Sequence, residues 1–214
     1  MHFGNEELLA AINEVVPQKF FKDLLIDLNN AHQNACAHVE KTFSQPVAKD
    51  AYPLYRRFIV EDSIKDTARN HEFVANSVLN RRKTASHVEI EIALGSKRMI
   101  LTTLAVHNCY DMTKLRTAKF RKTLAEESQL SLFKELIEAG DGYYGILLYG
   151  AKHQNREIDF AYLGFPTANC KQWYGHYDVF DLAVRASDTE HIKDKSDPKL
   201  RKDIKIERRE EDDK

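Results

Sequence analysis

Residues 87–92 alternate without a break. His87, Glu89 and Glu91 are polar, and Val88, Ile90 and Ile92 between and after them are branched and apolar. A period of two belongs to a strand, whose successive side chains leave opposite faces; the apolar positions of a helix recur every three or four residues. This strand has one oily face and one wet face. Gly95, Ser96 and Lys97 supply a turn and residues 99–106 return, so 87–106 is predicted as a β-hairpin.

The chain before the hairpin is helical in pattern. Asn5 can cap a first helix with Leu8, Leu9, Ile12, Val15 and Val16 at helical spacing. Pro17 separates it from a long second helix over 18–43, striped by Phe21, Leu24, Leu25, Leu28, Ala31, Ala35 and Val39. Residues 44–53 carry two prolines and no period, and read as a linker. A third helix is expected over 62–80, with Ile64, Ala68, His71, Ala75, Val78 and Leu79 on its apolar face.

After the hairpin a fourth, long helix is expected between Thr113 and Ala139, with Gly140 as its stop. Residues 143–149 are apolar on both faces, as a central strand is, and a turn over 152–156 joins them to a strand at 158–163. A loop from Phe165 and Pro166 holds the single tryptophan, Trp173, and a last strand covers 177–184. Helical runs followed by hairpins, without regular βαβ units, predict an α+β fold on an antiparallel sheet of about five strands with one long inserted helix. Its domain spans 1–186, helical over 5–80 and sheet over 86–184.

From Ser187 onward nine Lys/Arg and ten Asp/Glu surround only four aliphatic anchors, so 187–214 reads as a charged flexible tail. Removing it leaves 23 basic and 23 acidic residues in the body, and the whole chain of 214 residues carries a net charge of −1. That balance argues against a surface that is one continuous polyanion-binding field, while permitting a local basic patch. The three cysteines, Cys36, Cys109 and Cys170, are distant and never in a CxxC pair, which argues against a disulfide framework or a zinc knuckle. With no basic n-region, no apolar leader and no membrane-length apolar run, a soluble cytoplasmic protein is expected.

Four groupings carry candidate chemistry. On the wet face of the first strand His87, Glu89 and Glu91 share one side, and Asp159 could join them if its strand is a neighbour. An imidazole and carboxylates can ligate a divalent metal or hold a hydrolytic water, so these four are candidate catalytic residues and the first three candidate metal ligands. Alternation alone also produces such a face for solubility. A metal-dependent nuclease often sets an acid beside an E-x-K on the next strand, and here Gly150 stands two before Lys152 and Ala93 two after Glu91.

The second grouping is basic: Lys114, Arg116, Lys119, Arg121 and Lys122, with Arg81, Arg82 and Lys83 before the hairpin and Arg56 and Arg57 upstream. If these converge they form a phosphate-binding surface with salt-sensitive affinity for nucleic acid. The acids Glu126, Glu127, Glu135 and Glu138 offer the competing account of a balanced, solvated helix. The third is residues 107–111, where Cys109 near His107 reads as turn chemistry plus a buried thiol more readily than as a nucleophile. The fourth, His32, Cys36 and Glu40, stacks along one helix flank beside the apolar stripe. His71 reads as a hydrogen-bonded core histidine. The aromatic loop 165–177 is either a lid over the core or a protein-interaction surface.

No phosphate loop, GxGxxG, GxSxG or HExxH occurs. The leading expectation is a nucleic-acid-associated binding protein using 81–83 and 114–122. The alternatives are a metal-dependent hydrolase or nuclease on His87, Glu89 and Glu91, and a protein-interaction module.

Overall fold

The computed structural model describes residues 6–79, 86–110, 119–129, 142–151 and 157–184. Its elements run α1 (Glu6–Val15), α2 (Gln18–Thr42), α3 (Val47–Asn70), β1 (Val74–Leu79), β2 (Ser86–Leu94), β3 (Lys97–Ala105), α4 (Lys119–Gln129), β4 (Gly142–Gly150), β5 (Phe160–Pro166), β6 (Trp173–Asp178) and α5 (Val179–Ala183). All lie in the compact unit Met1–Val184. The expected tail, 187–214, lies outside the described residues. Among the described residues no helix is long and apolar enough to cross a membrane.

The fold is α+β, but the sheet has six strands rather than five and is mixed rather than antiparallel. The order follows the chain, β1-β2-β3-β4-β5-β6. Neighbours are antiparallel except β3 and β4, which run parallel from Arg98 opposite Gly142 to Ala105 opposite Tyr149. A hairpin cannot join parallel strands. The chain must cross a sheet face between them, and α4 lies in that connection.

The additional strand is β1, inside the expected third helix. Ala75, Val78 and Leu79 fit a helical stripe, but the helix stops at Asn70. His71 bonds back to Thr67 and Ala68, and Glu72 turns the chain at φ 63°, after which Phe73 N–H returns to Ala68 O. The expected linker at 44–53 is instead largely the first turns of α3, which accommodates Pro53 internally. At the other end, Asp178 closes β6 by accepting the Phe180 N–H at 2.9 Å, so residues 179–183 are helix where strand was expected. The loop between β5 and β6 is correspondingly short, because Pro166 is still paired with Trp173.

Each face of the sheet has its own core. Val88, Ile90 and Ile92 of β2 point to the first face, as the alternation requires. There Leu8 and Ile12 of α1, Phe20, Leu24 and Leu28 of α2, and Ile64 and Ala68 of α3 bury them with Leu147 and Tyr149 of β4. The second face carries Tyr144, Ile146 and Leu148 of β4 under Ala125 of α4, with Val106 and Cys170. Strand β4 is thus buried on both faces, which accounts for its unbroken apolar run. At its end the backbone is approached so closely that a Cβ on Gly150 would stand 2.3 Å from the Val106 carbonyl oxygen.

Candidate nucleic-acid interface

The register gathers several chain ends at one end of the sheet. Ala105 closes β3 opposite Tyr149, Gly150 closes β4 opposite Phe160, and Ser86 opens β2, which runs antiparallel to β3. Parallel strands present their carboxyl ends together, and backbone carbonyls there attract cations.

Two helices bring guanidinium groups to this end. From α3, Arg57 Nη2 donates to the Ser86 carbonyl, and its Nε pairs with Glu61 Oε1 at 2.9 Å. Glu61 is one turn further along the helix, and its side chain is only 8% exposed. From α4, Arg121 Nη2 donates to the Thr103 carbonyl at 2.9 Å. Burial lowers the Arg121 pKa; nearby Arg57 acts in the same direction, while Tyr144 and Glu61 oppose it. Tyr144 is fully packed and shares a 2.8 Å hydrogen bond with the Thr102 hydroxyl. Burial also pushes the Tyr144 pKa up, against the pull of Arg121.

Arg56, also from α3, lies over two rings. Its guanidinium carbon is 5.1 Å from the centroid of Tyr52 and 6.0 Å from that of Tyr149. Behind it Tyr52 is hydrogen-bonded to His32 Nδ1 at 2.9 Å. Burial drives the His32 pKa down to about 4, helped by Arg56 and opposed by Asp159, so the imidazole is neutral near pH 7. Tyr52 is pushed up to about 12, chiefly by burial. The Nε atoms of both Arg56 and Arg121 are buried and have no hydrogen-bond partner among the described residues. A buried N–H without an acceptor costs about 1–3 kcal/mol, and more on a charged group; the rest of each guanidinium interacts with a tyrosine, Tyr52 for Arg56 and Tyr144 for Arg121.

The other candidate residues distribute as follows. His87 and Glu89 do meet, with Nε2 to Oε1 at 2.7 Å, and the His87 ring stacks on Phe120 of α4 at 4.1 Å. Glu91 is exposed and stands 3.6 Å from Arg98. Asp159 precedes β5, so β3 and β4 lie between it and β2, and its charge acts on His32 instead. Among the described residues no three His, Cys, Asp or Glu side chains converge as a metal-ligand set. In the basic run, Lys119 is exposed, Arg121 turns inward, and Lys122 faces Glu126 at 3.6 Å. Arg81, Arg82, Lys83, Lys114 and Arg116 lie outside the described residues.

Cys109 is buried, and its carbonyl oxygen faces His176 Nε2 at 3.2 Å; burial raises its thiol pKa, away from the reactive thiolate. His71 pairs with Asp23 at 2.8 Å, edge-on to Phe20. In the aromatic loop Phe165 and Tyr177 join the first core, and Trp173 packs against the second.

Glu61, Thr102, Tyr144 and Tyr52 were not singled out by the sequence. Only the Arg57–Glu61 spacing of four on a helix carried a signal for this group, and the linker reading of 44–53 obscured that helix. Comparison with protein-family models, with curated protein sequences and with solved structures yields no match.

Proposed function

We propose that the protein binds nucleic acid through its phosphate backbone at this arginine-rich end of the sheet. One observation carries the reading. Three guanidinium groups from two helices, Arg56, Arg57 and Arg121, come to the same chain ends, and the Arg57 side chain is 39% exposed there. Phosphate oxygens are strong acceptors, and guanidinium is the group best matched to them. Glu61 holds Arg57 in place, while exposed Lys119 and Lys122 extend the basic character along α4. The clusters at 81–83 and 114–116 adjoin these elements in sequence and would add phosphate contacts of the same kind.

The test is fluorescence anisotropy of a labelled oligonucleotide across a salt series, with Arg56→Ala/Arg57→Ala as the variant. Arg121 is left intact, and because Arg57 also holds the Ser86 carbonyl and Glu61, the urea midpoint of the variant is measured alongside to establish that it is folded. Wild-type affinity should fall linearly on a log–log salt plot. The double variant should bind at least roughly ten-fold more weakly, with the slope reduced by about two. Absence of binding at low salt, or an unchanged slope in the variant, overturns the proposal.

A further inference from the structure

We infer that the nucleic acid taken by this site is single-stranded, with its bases stacking on Phe58 beside Arg57; the inference rests on the nucleic-acid reading above. Phe58 follows Arg57 directly on α3, is 49% exposed, and has the Arg57 guanidinium carbon 6.0 Å from its ring centroid. It does not stand alone. Val47 and Leu54, 50% and 58% exposed, precede it at helical spacing and form an apolar stripe on the outer flank of α3, away from Val60, Ile64 and Ala68 on the core side. Next to the stripe Tyr55 stacks flat on exposed His38, at 4.5 Å and 3° between planes.

A protein that contacts only a duplex backbone needs cations there and gains nothing from exposed rings, because paired bases hide their faces. A single strand offers those faces, and an exposed aromatic ring beside a guanidinium, as in Phe58 and Arg57, suits such a ligand. A second copy of the chain fits less well. A two-fold contact through this stripe would bring the Arg57 side chains of both copies towards one another.

The experiment compares a labelled oligothymidine with a hairpin duplex of equal phosphate number, using wild type, Phe58→Leu and Phe58→Tyr. Leucine keeps the apolar volume and removes the ring; tyrosine keeps the ring. Wild type should prefer the single strand by about ten-fold. Phe58→Leu should lose about ten-fold on the single strand, leaving duplex affinity and salt slope unchanged, and Phe58→Tyr should bind as wild type does. Equal affinity for both probes with no effect of Phe58→Leu overturns the inference and leaves the nucleic-acid reading standing. Failure of both probes to bind overturns the two together. A concentration-dependent dimer in sedimentation that Phe58→Leu dissociates, without loss of single-strand binding, reassigns the stripe to self-association.

Discussion

His32 shows how a single buried side chain couples this site to pH. Its pKa is about 4 in the folded protein against 6.5 for a free imidazole, mainly because burial opposes the charged form. The unfolded chain therefore binds a proton that the folded chain refuses. Above pH 6.5 both states are neutral and the residue adds no pH dependence. As pH falls from 6.5 towards 4 the unfolded state gains protons first and stability drops; below 4 the loss is complete, on the order of 2 kcal/mol after allowing for solvent screening. Urea unfolding across this range should show that slope in wild type and a shallower one in His32→Asn, whose amide can still accept the Tyr52 hydroxyl proton. Parallel pH profiles for the two proteins would reject the assignment. The sequence offered His32 as one of three stacked polar residues on α2. What it could not offer was Tyr52, because the neighbouring prolines suggested a linker at the position where α3 brings that ring against the imidazole.

At the scale of elements, the hairpin of β2 and β3 was legible because its alternation matches a single period over six residues. The end of α3 was not legible. Glu72 takes the left-handed turn that glycine usually supplies, so no breaker marks the sequence, and Ala75, Val78 and Leu79 satisfy a helical stripe and an edge strand equally. The same ambiguity concealed the parallel pair, since nothing local in β3 or β4 states which direction the partner runs. A non-glycine residue held at φ 63° carries conformational strain. Glu72 is exposed, and its side chain is not needed for the backbone bonds that close the helix. Glu72→Gly should therefore raise stability by about 0.5–1 kcal/mol, read as a higher urea midpoint at unchanged m-value. A lower midpoint would mean that the glutamate side chain contributes more than its backbone costs.

Across the whole molecule, the sheet is layered by burial from its centre to its first edge, and this organisation sets where the arginines can act. Strand β4 is covered on both faces and paired on both sides, with Ile146, Leu147 and Leu148 fully buried. Strand β1 pairs only with β2, and four of its six residues are exposed, including Val74 and Leu79 at 55% and 57%. The arginine cluster lies between these extremes, anchored to Thr103 next to β4 and to Ser86 at the start of β2. Its inner anchor is on a strand that pairs with fully buried β4, and its outer anchor is on the strand that supports the exposed edge β1. Native-state hydrogen exchange resolves this directly. The amides of β4 should exchange only through global unfolding, with the highest protection in the sheet, while those of β1 should exchange through local opening at a lower free energy and with little denaturant dependence. Binding of an oligonucleotide should raise protection at the start of β2 more than in β4, because only the former has stability left to gain below the global limit. Protection of β1 equal to that of β4 would mean the edge opens only with the whole molecule, and the graded support of Arg57 and Arg121 would be uniform instead.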